Sequence, residues 1–326
     1  MGTTRILTID DTAAWLDSRD RFLILTHRRP DGDTLGCAGA LAQSLKESGK
    51  TAYVLFNPEA TPRYLRFVED YWAPGGYEAE YIITIDTASH DLFPKNGGEY
   101  IGAVSLCIDH HPSNKLYAEN TCLNETRASC GEIIYELLVA MNCSIGAKAA
   151  GCLYTALSTD TGCFAFANTT ANTLRVAGLL VEAGAPQVEL NKLLFRTRTR
   201  SRVKIEGLIY SGIEFYFDGA AAISTITRDM MEIAGADEDD MDDISSIPGS
   251  IKGVLAGITI RELTSTRDCK ISVRTSPSVN AHNICARFDG GGHPMAGGFS
   301  MEATVPEVKA ALLAALADFF PGISAV

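Results

Sequence analysis

Residues 22–49 read FLILTHRRPDGDTLGCAGALAQSLKESG, and this stretch indicates the fold of the first half of the chain. It begins with a short apolar run, Phe22–Thr26, which has the length of a buried strand. Over residues 34–48 the apolar side chains recur at helical spacing, and Gly49 provides the stop signal of a helix. A strand followed at once by a helix is the repeating unit of parallel sheets.

The alternation of apolar runs and helical patterns continues through the first half of the chain. Further strands are predicted at Thr51–Phe56, Tyr81–Ile85 and Ala103–Ile108. Further helices are predicted from a capping box at Ser129 and Glu132 to Met141, and at Ala147–Leu157 and Thr170–Ala183. This order predicts an α/β fold with a doubly wound parallel sheet, in which helices cover both faces.

The second half of the chain has a different order of predicted helices and strands. A helical pattern over Gln187–Tyr216 is followed by strands at Ala221–Thr227, Gly253–Arg261 and Lys270–Thr275, and by a helix at Val305–Phe319. We therefore predict a first domain at residues 1–190, a helical linker at 191–218 and a smaller α/β domain at 219–326. The acidic run at 237–243 is interpreted as a solvated loop or a helix start.

Composition limits the class of protein. A net charge of −12 excludes a duplex DNA binder that depends on a basic surface, but allows a small anionic substrate. Nine cysteines without a C-x-x-C pair indicate reduced thiols, as in the cytoplasm. The sequence starts without an apolar signal core, and its apolar runs fall short of the ~18 residues of a membrane span. We therefore expect a cytoplasmic protein without a membrane partner.

The predicted strands end in acids and histidines. The first apolar run leads into His27, the run at 81–85 into Asp86, and the run at 103–108 into Asp109-His110-His111. Because parallel sheets bind ligands at the carboxyl ends of their strands, these side chains are predicted to meet in one crevice. Three further acids beside glycines complete the predicted set, namely Asp31, Asp33 and Asp160.

Imidazoles and carboxylates together form a mixed ligand set, which favours Mn²⁺. The number of ligands exceeds what one tetrahedral ion needs and suits two ions about 3.5–4 Å apart that share a carboxylate. Two divalent cations would balance the four charges of Asp31, Asp33, Asp86 and Asp160. Each motif also has a structural interpretation, as a turn around residues 27–33, a helix cap at Asp86 and a turn at Asp160.

The motifs together resemble those of the DHH phosphoesterase superfamily. Asp109-His110-His111 matches the triplet that gives the family its name. Three further motifs match as His27-Arg-Arg-Pro-Asp31-Gly-Asp33, Ile85-Asp86 and Asp160-Thr-Gly-Cys-Phe. FDGGGHPMAGGF (288–299) and ISVRTS (271–276) match the family's C-terminal associated domain. The length resembles that of the short members that hydrolyse oligonucleotides and adenosine 3′,5′-bisphosphate, and the long RecJ-type exonucleases fit less well.

The resemblance implies a role for each matched residue. The first metal would be held by His27, Asp31 and Asp86, and the second by Asp33, Asp86, His110 and Asp160. Asp86 would bridge the ions, and Gly32 would let the turn aim its two acids at different ions. His111 would contact the scissile phosphate or assist the leaving group, and Asp109 would support the triplet or act as a weak metal ligand. The substrate would be bound by Arg274 and by the loop Gly290, Gly291, Gly292 and His293, for which a tight turn with a structural histidine is the alternative.

The family also implies the cofactors and the partners. Two divalent ions are expected, with Mn²⁺ favoured over Mg²⁺, Co²⁺, Fe²⁺ or Zn²⁺, and a metal-bound hydroxide is the expected nucleophile. The expected partners are short single-stranded RNA or DNA oligonucleotides or small nucleotides. The first domain would hold the metals, and the second, the DHH-associated domain, would bind the substrate.

Departures from the family pattern leave the substrate preference open. Many relatives carry a basic residue after the fourth motif, where this chain has Cys163-Phe164-Ala165, so one cationic substrate contact is missing. Cyclic dinucleotides, linear dinucleotides and pyrophosphate therefore remain alternative substrates, and a catalytically silent nucleotide-binding regulator remains an alternative function. The sequence also leaves the oligomeric state open between a monomer and a homodimer.

Overall fold

A computed structural model describes residues 4–241 and 243–322 of the chain. Two compact units are present, Met1–Thr197 and Arg198–Val326. The division between them falls inside the segment that the sequence predicts as a linker. The last part of that segment, Glu214–Tyr216, is a strand and not a helix, because it pairs with the edge of the second sheet.

The first unit contains a six-stranded parallel sheet, which confirms the predicted α/β class. Its strands are β1 (Arg5–Ile6), β2 (Phe22–Leu25), β3 (Ala52–Val54), β4 (Tyr81–Ile85), β5 (Val104–Asp109) and β6 (Asn120–Leu123). They lie in the order β1-β6-β5-β4-β2-β3, and every neighbouring pair is parallel. The four predicted strands are present. The sequence missed β1, which has only two residues, and β6, whose residues Asn-Thr-Cys-Leu form no apolar run.

The first unit contains the predicted helices and two more. They are α1 (Ile9–Asp17), α2 (Gly32–Glu47), α3 (Pro62–Leu65), α4 (Cys130–Ala140), α5 (Ala147–Asp160), α6 (Ala171–Glu182) and α7 (Gln187–Asn191). The sequence missed α1 and α3. Alternate strand residues such as Ile24, Ile83 and Ile108 join α2, α4 and α5 in the main core. The opposite face of the sheet packs against shorter elements that include Phe93 and Tyr117, rather than against long helices.

Helix α2 is buried along most of its length and packs closely against α5. A Cβ atom at Gly36 would lie 2.4 Å from the carbonyl oxygen of Cys152, and one at Gly32 would lie 2.5 Å from the Thr159 side chain. Gly32 is not among the glycines with a positive φ, and its lack of a side chain permits this close helix packing. This packing brings the start of α2 next to the end of α5.

The start of α4 differs from the predicted capping box. The side chain of Ser129 makes no capping hydrogen bond, and the Glu132 carboxylate accepts hydrogen bonds from the backbone of Ala128 and the hydroxyl of Thr173. The first backbone N–H groups of α4 donate instead to Asp33, which lies on another helix. A carboxylate from elsewhere in the chain thus replaces the local cap.

The second unit is a smaller α/β fold around a mixed sheet. Its strands are β7 (Glu214–Tyr216), β8 (Ala221–Ile226), β9 (Ala256–Glu262), β10 (Cys269–Thr275), β11 (Gly291–His293) and β12 (Ala296–Met301). They lie in the order β11-β12-β10-β9-β8-β7, and only the pair of β8 and β9 is parallel. Its helices are α8 (Arg200–Ser211), α9 (Arg228–Ala234), α10 (Ala281–Cys285) and α11 (Val305–Leu316).

The acidic run of the second unit has structural contacts. Asp237 accepts hydrogen bonds from the backbone of Asp239 and Asp240, and the buried Asp240 accepts one from Thr199. These bonds fix a short 3-10 turn against the start of α8, in line with the predicted helix start. Asp242, inside this run, lies outside the described residues.

Two further expectations concern the whole chain. All nine cysteines are described, and each one is a free thiol. In residues 4–241 and 243–322, no helix combines the length and the apolar character needed to cross a membrane.

Candidate metal centre

The carboxyl edge of the parallel sheet gathers the predicted ligands. His27 follows β2, Asp86 follows β4 and Asp109 ends β5, and these three strands are neighbours in the sheet. The start of α2 and the end of α5 reach the same edge, since the two helices pack closely. Three overlapping groups of acids and histidines result, His27/Asp31/Asp86, Asp33/His110/Asp160 and Asp86/His110/His111.

The first group is organised around His27. Its Nδ1 lies 2.8 Å from the carbonyl oxygen of Arg28, which can only accept, so this nitrogen carries the proton. Nε2 then faces the carboxylates and lies 3.6 Å from Oδ1 of Asp31 and 3.6 Å from Oδ2 of Asp86. These separations leave room for a cation between the three atoms, because metal–ligand bonds are only about 2.0–2.2 Å long.

The second group is organised around His110 in the same way. Its Nδ1 lies 3.2 Å from the carbonyl oxygen of Arg127, which again assigns the proton to this nitrogen. Nε2 faces three carboxylates, at 3.3 Å from Asp160, 3.4 Å from Oδ1 of Asp86 and 3.8 Å from Asp33. The two oxygens of Asp86 therefore face different histidines.

Two buried polar atoms of this edge lack hydrogen-bond partners in the described parts of the protein. Nε2 of His110 and Oδ1 of Asp86 are both buried, and neither has a hydrogen-bond partner. Such atoms are costly to bury unless something satisfies them. A divalent cation among these nitrogen and oxygen atoms would satisfy them, so the residues fit a metal ion.

The repulsion between the carboxylates of the centre also favours the binding of a cation. Burial raises the pKa of Asp33 well above its usual range, and the negative charges of Asp86 and Asp31 raise it further. Burial and the charges of Asp33 and Asp86 do the same for the pKa of Asp160. Burial alone would lower the pKa of His110, but its contacts with Asp86 and Asp160 raise it to about 9. Either a proton or a cation would relieve the repulsion that raises the pKa of Asp33 and Asp160.

Both oxygens of Asp33 are held by hydrogen bonds. One of its oxygens accepts from the backbone N–H of Cys130 at 2.7 Å, and the other accepts from the N–H of Gly131 at 3.0 Å and from Cys37 Sγ at 3.2 Å. The carboxylate thus lies at the N-terminus of α4, where the helix dipole favours a negative charge. This arrangement orients Oδ2 towards His110.

Asp31 caps a helix as well as facing His27, whereas Asp86 has an unusual backbone conformation. Oδ1 of Asp31 caps α2 by accepting from the N–H groups of Asp33 and Thr34, so the structural interpretation of this motif also holds. Asp86 does not cap a helix. Its φ of +55° places it in the left-handed region, which is uncommon for non-glycine residues and is often seen at functional sites.

Asp109 is bonded to its own triplet. Oδ1 accepts from the backbone N–H groups of His110 and His111 and lies 2.8 Å from Nδ1 of His111, and Oδ2 accepts from Asn114 at 2.6 Å. With both oxygens occupied, Asp109 is absent from the three groups that could hold a metal. Nδ1–H of His111 donates to Asp109, and this hydrogen bond raises the pKa of His111. It leaves Nε2 of the partly exposed ring available for another contact.

Several neighbours of the centre carried no signal in the sequence. Asn57 donates to Thr26 and to the carbonyl oxygen of His27 and so fixes the end of β2. Asn168 donates to the carbonyl oxygens of Asp160 and Ala128. The bonds of Asn57 to His27 and of Asn168 to Ala128 span 30 and 40 residues, so spacing alone did not indicate them.

The predicted substrate residues of the second unit lie on β10 and β11. Ala296 of β12 is directly opposite Arg274 on one side and His293 on the other. Directly opposed residues in antiparallel strands present their side chains on the same face, so Arg274 and His293 share a face, about 10 Å apart. The Arg274 guanidinium donates to the carbonyl oxygen of Val273 and to Ser245.

The glycines beside His293 form a strand rather than an open loop. A Cβ atom at Gly290 would lie 2.5 Å from the carbonyl oxygen of Gly298, and one at Gly292 would lie 2.4 Å from that of Ala296. Gly292 also has a φ of +140°. The tight packing of this hairpin therefore accounts for these two glycines.

Comparisons with known proteins agree with this division of the chain. A model of the DHH family, N-terminal domain, matches residues 21–157, and a model of the DHHA1 domain matches residues 222–321. The chain is 31% identical over 284 residues to the bifunctional oligoribonuclease and PAP phosphatase NrnA of Thermus thermophilus, which covers 86% of this chain and 83% of that protein. Identity to the protein of the same name from Bacillus subtilis is 29%, over 86% of this chain and 90% of the relative.

A solved structure shows the same fold over nearly the whole chain. An exopolyphosphatase-related protein from Bacteroides fragilis superimposes with a TM-score of 0.85 at 25% identity, over 96% of each chain. The two family models and the long match to the Thermus protein rest on both units of the chain. The chain therefore belongs to the DHH family of metal-dependent phosphoesterases and is a hydrolase that acts on ester bonds.

Proposed function

We propose that the chain hydrolyses short oligonucleotides and adenosine 3′,5′-bisphosphate at a centre that binds two divalent ions. The observation that carries the two-ion part is the carboxylate of Asp86, whose oxygens face two different histidines. The substrate part is supported by the names of the two NrnA relatives, which describe an oligoribonuclease and a PAP phosphatase.

The groups at the sheet edge supply one ligand set for each ion. His27, Asp31 and Oδ2 of Asp86 would hold one ion, and Asp33, His110, Asp160 and Oδ1 of Asp86 the other. Four carboxylates and two divalent cations balance in charge, which offsets the repulsion between the carboxylates. The mixed nitrogen and oxygen donors favour Mn²⁺. Once bound, the ions would lower the pKa of a water molecule and neutralise charge on the phosphate.

His111 is the proposed proton donor to the leaving oxygen. Asp109 holds Nδ1 of this imidazole, so the ring keeps one orientation and its Nε2 points away from Asp109. The same carboxylate raises the pKa of His111, which favours the protonated ring that a general acid needs. Asp109 itself acts by positioning, because its oxygens are bonded to the triplet and to Asn114.

A substrate panel tests the proposed function. The purified protein is loaded with Mn²⁺ and assayed separately with dinucleotides, longer RNA, adenosine 3′,5′-bisphosphate, cyclic dinucleotides and pyrophosphate. We expect hydrolysis of the dinucleotides and the bisphosphate, and slower turnover of the others. Turnover of pyrophosphate alone would contradict a nucleotide substrate, and a preference for cyclic dinucleotides would replace the proposed substrate class.

Arg274 is the proposed phosphate ligand of the second unit, and Arg274→Ala should raise KM by about 10- to 100-fold, because charge-assisted hydrogen bonds to phosphate are lost. The value of kcat should change little, since this residue binds rather than reacts. Steady-state kinetics on a dinucleotide with a terminal phosphate would measure the effect. Arg267→Ala is a matched control, because this exposed arginine pairs with the exposed Glu307 at the surface. Equal KM values for the wild type and Arg274→Ala would remove Arg274 from the site.

A further inference from the structure

The loop after α5 has an unusual backbone. Gly162, Cys163 and Phe164 have φ values of +55°, +58° and +65°, so three successive residues are left-handed. Left-handed conformations are unfavourable for residues with a Cβ atom, and they persist only where the surroundings enforce them. The loop begins at Asp160, a proposed metal ligand.

Thr161 enforces this conformation. Its hydroxyl donates to the carbonyl oxygen of Leu157 and accepts from the N–H of Phe164, and its own carbonyl oxygen accepts from the N–H groups of Ala165 and Phe166. Asn168 donates to the carbonyl oxygen of Asp160 and ties the two ends of the loop together. Every turn of the loop is therefore held by a hydrogen bond.

The consequence is that the two phenylalanines of the loop point in different directions. Phe164 packs against Tyr154 next to the main core, with ring centroids 5.7 Å apart. The ring of Phe166 lies on the backbone of Gly162, where a Cβ atom would come within 2.4 Å of it. Phe166 is nevertheless 53% exposed. Across the described parts of the chain, no second aromatic ring is paired with it.

We propose that Phe166 is the platform on which a nucleobase of the substrate stacks. This inference rests on the proposed function and extends it by naming the part of the substrate that is recognised. One face of the ring is seated on Gly162, whose backbone is within about 7 Å of that of Asp160. The side of the ring that faces away from Gly162 remains accessible, since Phe166 is half exposed. Aromatic rings bind bases of any sequence in this way, because every base has a π-face.

The loop chemistry favours a base over a phosphate at this position. Residues 163–166 are Cys-Phe-Ala-Phe and carry no cation that could hold a second phosphate. A rigid ring costs little conformational entropy when it is covered, and the loop is already ordered by its hydrogen bonds. A stacked base would also distinguish nucleotides from pyrophosphate, which offers nothing to the ring.

Isothermal titration with two small probes tests the proposal. Adenosine 5′-monophosphate and ribose 5-phosphate carry the same sugar phosphate, and only the first has a base. Both are titrated into the Mn²⁺-loaded wild type, Phe166→Leu and Phe166→Tyr. Phe215→Leu is the matched control, since Phe215 is 54% exposed and lies on β7 of the second unit. Thermal unfolding of each variant monitors the fold.

We expect the wild type to bind adenosine 5′-monophosphate more tightly than ribose 5-phosphate. Phe166→Leu should weaken binding of the nucleotide by about 5- to 150-fold and leave ribose 5-phosphate binding unchanged. Phe166→Tyr keeps a ring and should bind both probes as the wild type does, and so should Phe215→Leu.

Other results would overturn the proposal. An equal loss for both probes in Phe166→Leu would show that the ring only positions Gly162 and Asp160. Equal affinities of the wild type for the two probes would show that no base is recognised. A ring-dependent preference for the nucleotide in a protein that fails to hydrolyse dinucleotides would instead contradict the proposed function alone. Dinucleotide hydrolysis with unchanged nucleotide binding in Phe166→Leu would contradict only the stacking platform.

Discussion

Asp86→Asn should lower kcat for phosphate-ester hydrolysis by at least about 1000-fold, because bound metals contribute several kcal/mol of transition-state stabilisation and each 1.36 kcal/mol is tenfold in rate. Both proposed ion sites share this carboxylate, so a single substitution weakens both. Asparagine has nearly the same shape and tolerates the left-handed φ of +55° that this position requires. The fold should therefore survive, which circular dichroism and thermal unfolding would show. Initial rates on a dinucleotide over a range of Mn²⁺ concentrations would measure the loss.

Asp91→Asn is the matched control for this experiment. Asp91 lies in the same segment after β4, its side chain is 82% exposed, and its contact with the partly exposed His90 spans 3.8 Å. Surface ion pairs of this kind contribute little, so this variant should keep wild-type kinetics. Near-normal turnover by Asp86→Asn at saturating Mn²⁺ would contradict a shared, bridging carboxylate.

The positions of the ligands were accessible from the sequence because parallel sheets place strand ends together. His27, Asp86 and His110 each follow an apolar run, and the topology then requires them to meet. The predicted fold class follows from the same alternation of strands and helices. Neither inference needed side-chain detail, since both depend on periodicity and on the direction of the strands.

Contacts between distant segments set the limits of the sequence-based prediction. Asp33 caps α4 across nearly 100 residues, so the local pattern at Ser129 and Glu132 predicted a capping box that does not form. A side chain at Gly32 would clash with Thr159, and a local turn rule cannot predict this constraint because it comes from tertiary packing. The left-handed conformation of Asp86 likewise depends on the surrounding fold. Local sequence rules therefore gave wrong or incomplete predictions where contacts between distant segments determine the structure.

Removal of the metals should destabilise the first unit strongly. Ligand binding stabilises by about 2.7 kcal/mol per ion at 100 times Kd, and Tm shifts by about 2–4 °C per kcal/mol for a unit of this size. We therefore expect Tm of the Mn²⁺-loaded protein to fall by roughly 10–20 °C on chelation. Differential scanning calorimetry with and without a chelator would measure it. An unchanged Tm, with metal content confirmed before and after chelation, would contradict binding at this centre.

Asp160→Asn should raise the Tm of the metal-free protein and reduce the rise in Tm that Mn²⁺ produces. Folding raises the pKa of Asp160, first through burial and then through the charges of Asp33 and Asp86, which outweigh the attraction of His110. A carboxyl whose pKa is raised by folding costs the native state stability at every pH above its ordinary value of 3.8, and the cost disappears as the pH falls and the group is protonated. The amide has no such cost, so at neutral pH the chelated variant should melt above the chelated wild type, by roughly 2–5 °C.

The same substitution removes a ligand, so most of the Tm gain from Mn²⁺ should be lost. Asn168 bonds the backbone carbonyl of residue 160 rather than its carboxylate, so the loop should stay in place. Asp91→Asn should behave as the wild type in both states. A variant that is destabilised in both states would indicate that Asp160 is mainly structural. A metal-binding carboxylate that is repelled by its neighbours predicts two results for Asp160→Asn, a higher Tm without metal and a smaller rise in Tm on adding Mn²⁺. A purely structural group cannot produce both results.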